Sequence, residues 1–294
     1  MLISSSYSDQ AKCVLSRDDC RNVLEALPNE SIDLTISSPP YFMGKEYDKS
    51  KKIEDFIEDH RLILPELLRV TKQGGSICWQ VGYHVTRSGL FTPLDYLVYE
   101  IFNSSEELFL QNRIIWVFGH GLHAKRKFSG RHEVILWFSK GRDYHFDLDP
   151  IRVPQKYPGK TYSKGANKGK PSGNPLGKNP GDVWEMPNVK AKHIEKTEHP
   201  CQFPVGLALR LVRALSPKNG RVFDPYTGSG STGVAALLEG RKFVGAEIDK
   251  KYHRIAKTRC EQAFSNEIRY RPLDKPIQVP NLNNAVARKP ANFA

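Results

Sequence analysis

Ser38-Pro39-Pro40-Tyr41 gathers a hydroxyl, backbone carbonyls without strand partners and an aromatic face into four consecutive residues. Such a group suits an exocyclic amine of a nucleobase, a poor nucleophile because its lone pair is delocalised into the ring. Acceptors that draw the two amine hydrogens out of plane push the nitrogen toward tetrahedral geometry, and preorganised acceptors aimed at the developing charge lower the barrier. Tyr41 would stack on the target base, which has to leave a duplex to be reached. About 185 residues later, Phe223-Asp224-Pro225-Tyr226-Thr227-Gly228-Ser229-Gly230 offers a glycine loop that lets backbone approach a nucleotide-like cofactor. Together the two segments point to methyl transfer onto a base amine.

On spacing alone the cofactor stays open. Gly228, Gly230 and Gly233 complete a G-x-G-x-x-G pattern compatible with a nicotinamide dinucleotide. Asp224-Pro225 directly ahead of the glycines, together with the amine-directed turn, favours S-adenosyl-L-methionine. Glu247 ends the next strand 19 residues after Gly228, where an acidic side chain can take ribose hydroxyls. A glycine turn of this kind also occurs wherever a helix must pack tightly on a sheet, so the triplet carries weight only beside the first motif.

Elements that could position these groups are readable from hydrophobic period. Residues 32–37 alternate and are β-branched, and Pro39 and Pro40 must end the strand because they cannot donate ladder hydrogen bonds. The Ser-Pro-Pro-Tyr turn therefore sits at a strand's carboxyl end, where open α/β sheets bind ligands. A helical period over 53–72, interrupted by Pro65 and stopped at Gly74-Gly75, precedes a buried strand over 76–81. Residues 93–103 read as a helix, and 113–118 with 133–138 as an antiparallel pair at one edge. The turn between those two strands carries His120, His123 and the basic run Lys125, Arg126 and Lys127. Past residue 203 the order is helix (203–215, Pro204 in its first turn), strand (221–223), helix (231–238), strand (242–246) and helix (250–262). That alternation predicts a mostly parallel, doubly wound α/β sheet, Rossmann-like, with helices on both faces.

From 141 to 196 the hydrophobic period disappears. Residues 151–196 hold ten Lys or Arg against three Asp or Glu, more than half of the chain's excess charge of +12. Tyr157, Tyr162 and Trp184 interleave these bases, so the segment reads as a loop region that orders on a polyanion, with a disordered insert as the alternative. Lys156, Lys160, Lys164, Lys168 and Lys170, with the 125–127 run, are the candidate contacts to that polyanion, such as a nucleic acid. The expected division is 1–140 and 197–265 as two parts of one core, 141–196 as a basic insert, and 266–294 as a tail. Five cysteines without C-x-x-C spacing suggest neither a disulfide framework nor a structural zinc. The start of the chain, Met1 to Ser8, is polar, and no apolar stretch reaches membrane-spanning length, which predicts a cytoplasmic protein.

On these motifs the chain resembles the amino-methyltransferases that act on DNA and often accompany restriction enzymes. The resemblance is to the circular arrangement with catalytic motif first, target-recognition region next and cofactor motif last, and it covers roughly residues 12–262. It implies S-adenosyl-L-methionine as cofactor, with Asp224, Pro225, Thr227, Gly228, Ser229, Gly230 and Glu247 binding it and Ser38, Pro39, Pro40 and Tyr41 at the chemistry. Glu198-His199-Pro200-Cys201-Gln202-Phe203-Pro204 is similar to the segment lining the methionine end, which adds Phe203 and Pro204, and Asp19 resembles the acidic position facing the cofactor's adenine. In that family Ser-Pro-Pro-Tyr usually marks the cytosine N4 amine and Asp-Pro-Pro-Tyr the adenine N6 amine. The implied partners are double-stranded DNA and a cognate endonuclease, and the implied state is a monomer or weak dimer.

Beside this reading stands its rival within the family, an adenine N6 enzyme on the same scaffold, and two more rivals lie outside it. Pro200-Cys201-Gln202 is the tripeptide of enzymes that methylate carbon 5 of cytosine through a thiolate adduct, but there the glycine motif comes first, whereas here Cys201 precedes Asp224 by 23 residues. The other rival is a basic nucleic-acid-binding protein without catalysis. The residue types nominate no catalytic base: Gln80 is neutral where some relatives carry an acid, and the amine, acidic once methylated, can lose its proton to water.

Overall fold

The computed structural model describes residues 3–41, 52–86, 89–119, 121, 123–277, 281, 283 and 288. In chain order its elements are β1 (Cys13–Ser16), α1 (Cys20–Ala26), β2 (Ile32–Ser37), α2 (Ile53–Val70), β3 (Thr71–Val81), β4 (Tyr83–Val85), β5 (Phe91–Pro93), α3 (Leu94–Phe102), β6 (Leu108–Val117), β7 (His132–Lys140), β8 (Val183–Glu185), α4 (Val205–Leu215), β9 (Arg221–Asp224), α5 (Ser231–Leu238), β10 (Lys242–Ala246) and α6 (Lys250–Phe264). Eight strands form one sheet in the order β1-β10-β9-β2-β3-β7-β6-β8, and β4 with β5 makes a separate hairpin. The five strands from β1 to β3 are mutually parallel, whereas β7 runs antiparallel to both β3 and β6.

Helices cover both faces because the central strands are apolar on both. On β9 and β10, Val222 and Phe243 face the α4–α5–α6 layer, while their neighbours Phe223 and Val244 face the layer of α1, α2 and α3. Such near-continuous apolar runs are what a doubly covered parallel sheet requires. The chain leaves β9 through α5 toward one edge and leaves β2 through α2 toward the other. The adjacent strands β9 and β2 therefore flank the topological switch point, the crevice where open α/β sheets take ligands.

Three elements depart from expectation. The β3 strand begins at Thr71, and Lys72 to Gly75 loop out of the ladder between the pairs Ile32–Thr71 and Leu34–Ser76. The α2 helix runs on through Pro65; the missing N–H leaves the Arg61 carbonyl without its helical donor on an exposed turn, where water can replace it. The antiparallel pair β6–β7 forms as expected, but the sheet edge beyond it belongs to the basic segment, whose β8 pairs in parallel with β6.

That segment is also better anchored than its composition suggests. Ile151, Trp184, Met186 and Val189 are buried in the core, the Trp116 indole donates to the Met186 carbonyl at 2.9 Å, and Arg210 lies 4.8 Å over the Trp184 ring. Its apolar anchors cluster near its two ends, too few and too irregular to register as a period. Ile268, Tyr270 and Leu273 of the tail also pack on the core. No helix among the described residues is long and apolar enough to cross a membrane.

Candidate active site

At the switch point the two motifs are joined by a buried hydrogen bond. Ser37, the last residue of β2, donates its hydroxyl to Asp224 Oδ1 at 2.6 Å, across 187 residues of sequence. Asp224 also accepts from Thr232 Oγ1 at 2.7 Å and from the Tyr226 backbone N–H at 3.1 Å. Burial pushes its carboxyl up to about 6, with the Ser37 and Thr232 hydrogen bonds acting against that rise. A carboxylate held by three donors shapes the turn from strand to helix.

Ser38 and its neighbours then face a cavity of about 570 Å³. The Tyr41 hydroxyl donates to the Gln80 carbonyl at 3.3 Å and lies 3.1 Å from Ser38 Oγ. With the phenol proton committed to a carbonyl, the serine is the donor in the second contact. Ser38 Oγ therefore presents lone pairs, not its proton, to the cavity. Burial raises the Tyr41 hydroxyl well above its ordinary value, so it stays a neutral donor.

The other end of the same cavity is built by the glycine loop. Gly228, at φ +53°, donates its N–H to Glu247 Oε2 at 2.8 Å, and Glu247 Oε1 accepts from the Asp249 N–H at 2.9 Å. A side chain at Gly228 would meet the His199 ring at 3.0 Å, so glycine keeps that wall open. Gly233 serves packing instead, since a Cβ there would strike Phe243 and Cys260. Burial pushes the Glu247 carboxyl up to about 7 against its two backbone donors. Asp19 caps α1 and pairs with Arg21 at 2.7 Å, a hydrogen-bonded contact that holds its carboxyl down at about 2. Ile248, 69% exposed, adds an apolar surface beside these acids.

Ser38, Pro39, Pro40, Tyr41, Asp19, Phe203, Pro225, Thr227, Gly228, Ser229 and Glu247 all line this one cavity. Three expected cofactor contacts do not. Asp224 is fully buried behind the loop, Pro204 is the buried N-cap of α4, and Gly230 turns the backbone into α5 at φ +81°. Lys125, Arg126 and Lys127 stand exposed after β6, as do Lys156, Lys160, Lys164, Lys168 and Lys170 in the basic segment. His123 is exposed and away from the cavity lining, and His120 lies outside the described residues.

Several lining residues carried no readable signal. Glu133, at the start of β7, accepts a hydrogen bond from the Gln80 side-chain amide, and burial pushes its carboxyl up to about 7. From the basic segment, Asn188, Val189 and Lys190 line the same cavity. Asn188 Oδ1 is buried without a hydrogen-bond partner among the described residues. A single charged residue ahead of an apolar strand and an asparagine in a loop are too common to single out.

Known proteins share this architecture. The family model described as DNA methylase matches residues 32–258. The type II methyltransferase M.BglII of Bacillus subtilis is 46% identical over 86% of this chain and 70% of its own length. The DNA adenine methyltransferase YhdJ of Escherichia coli is 30% identical over 87% of the chain and 85% of its own length. Among solved structures, the cytosine-N4-specific PvuII DNA methyltransferase superposes with a TM-score of 0.67 at 20% identity over 83% of this chain and 85% of that one, a likeness of fold. TTHA0409 of Thermus thermophilus, complexed with S-adenosyl-L-methionine, superposes with a TM-score of 0.60 at 25% identity over 85% and 95%. With the family model spanning both motifs and the cavity between them, the chain belongs to the DNA methylase family of restriction–modification methyltransferases.

Proposed function

We propose that this chain transfers a methyl group from S-adenosyl-L-methionine to the N4 amine of a cytosine flipped out of double-stranded DNA. The observation that carries this reading is the Ser38 hydroxyl, turned by Tyr41 into an acceptor in the cavity that also holds Gly228 and Glu247. The cofactor supplies an electrophilic methyl on a sulfonium. The residues at the glycine end fit such a ligand: Glu247 keeps lone pairs for ribose hydroxyls, Ile248 and Tyr226 offer surface to a purine, and Gly228 leaves the loop open. At the other end, Ser38 Oγ and the Pro39 carbonyl accept the two amine hydrogens and bring the nitrogen lone pair out of conjugation. The freed lone pair would then take the methyl group, with the C–S bonding pair leaving on the sulfur, and the methylated amine would release its proton to water.

Ser38 at the head of this turn, the form that the family resemblance associates with the cytosine N4 amine, favours cytosine. The similarity to an adenine enzyme keeps N6 transfer as the second reading. Mass spectrometry of nucleosides from DNA incubated with the protein and cofactor decides between them. N4-methylcytosine is expected, and N6-methyladenine in its place would reassign the target. The type II relative supports a partner endonuclease that cuts the same site, and the exposed lysines of 156–170 supply the charge for binding DNA phosphates.

A further inference from the structure

The base end of the cavity holds an acidic side chain that the scheme above does not use. Glu133 stands opposite Trp116 in the β6–β7 ladder, one residue before the pair Val81–Val134 that joins β7 to β3. It therefore lies at the same sheet end as Ser38. Gln80 fixes it by donating its amide to Oε2. Its position relative to the catalytic turn follows from Gly82: a methyl group there would lie 3.4 Å from Tyr41 Cε2, 3.4 Å from Glu133 Cγ and 3.5 Å from Glu133 Oε1. The carboxyl group and the tyrosine ring thus converge beside Gly82, and both line the cavity with Ser38.

Resting on the methyltransferase reading, we propose that Glu133 is a specificity-determining residue whose protonated carboxyl donates a hydrogen bond to the ring nitrogen beside the target amine. Cytosine and adenine share that edge, an amine donor next to an unprotonated ring nitrogen, N4 with N3 or N6 with N1. Ser38 Oγ and the Pro39 carbonyl accept from the amine, so the ring nitrogen needs a donor. Glu133, held by the Gln80 amide and set beside the Tyr41 ring, is placed to supply one. Burial favours the neutral acid, with the Gln80 hydrogen bond and Lys190 pulling the other way. Guanine and thymine present an N–H at the corresponding ring position and would meet the acid's O–H with a second donor. The contact therefore selects an amine-bearing base while setting its amine toward Ser38.

Duplexes carrying the natural target base, or its analogue with that ring nitrogen replaced by C–H (3-deazacytosine, or 1-deazaadenine for an N6 enzyme), test the contact by single-turnover methylation. The wild type should lose about 100-fold on the analogue, the upper end of what one buried donor left without an acceptor costs. Glu133→Ala should lose a similar factor on the natural base and less than about threefold more on the analogue, because the interaction is already gone. Losses that multiply across the variant and the analogue overturn the proposal. Glu133→Met keeps the volume without the donor and serves if the alanine variant does not fold, with S-adenosyl-L-methionine binding as the check of folding. A wild type that methylates no natural DNA refutes the methyltransferase reading itself, an outcome distinct from multiplying losses in an active enzyme.

Discussion

Ser38 and Glu247 carry opposite kinds of prediction. The serine's acceptor role grows as charge develops on the amine, so Ser38→Ala should lower turnover about 100-fold while leaving the affinities for DNA and S-adenosyl-L-methionine near wild type. Single-turnover rates beside calorimetric binding check the split, and equal losses in both would remove the role. For Glu247 the prediction is a pH dependence. Its carboxyl sits at about 7 in the free protein because it is buried, and ribose hydroxyls donate to the charged form, which lowers that value in the complex. Cofactor affinity should therefore be full above pH 7 and fall as the pH drops through 7, by up to about tenfold per unit. Glu247→Gln should bind more weakly and lose the dependence. An unchanged slope in that variant would assign the titration to another group, such as the buried Asp224.

Neither residue would be in place without the elements behind it. The strands β2 and β9 end side by side, and the hydrogen bond from Ser37 to Asp224 couples the amine-directed turn to the glycine loop. Asp224→Ala should cost about 3 kcal/mol of stability, since it leaves the Ser37 and Thr232 hydroxyls buried without an acceptor. It should also weaken cofactor binding although Asp224 touches no ligand. Urea unfolding and calorimetry measure the two effects, and a stability loss with unaltered cofactor affinity would separate loop geometry from this carboxylate. Strands β2, β9 and β10 were legible because apolar runs on a doubly covered sheet leave few other options, and proline and glycine punctuate their ends. The β8 strand was not: three residues long, it shows no period of its own and exists because β6 offers an open edge.

Across the whole molecule, the basic segment does two things at once. It exposes its lysines to solvent, and it sends Asn188, Val189 and Lys190 into the cavity wall. Replacing Lys160, Lys164, Lys168 and Lys170 together with alanine should weaken DNA binding at low salt and flatten its dependence on log salt by about 0.9 for each phosphate no longer neutralised. Cofactor binding in the absence of DNA should be unaffected. Affinity titrations over a range of salt concentrations check this, and an unchanged slope would assign phosphate binding to other bases, such as the exposed Lys125–Lys127 run.

The amino-acid sequence by itself determined the two local structures that carry the chemistry. Prolines 39 and 40 end a strand wherever they occur in one, and glycines 228 and 230 supply the left-handed backbone that the loop adopts. Only the tertiary structure decided which side chains share the cavity. Glu133, Gln80 and Asn188 meet there because of strand order and edge pairing, and neighbours across a sheet leave no trace in the spacing along the chain. The same packing made Asp224 a buried support and Ser38 a free acceptor, assignments that depend on partners up to 187 residues distant.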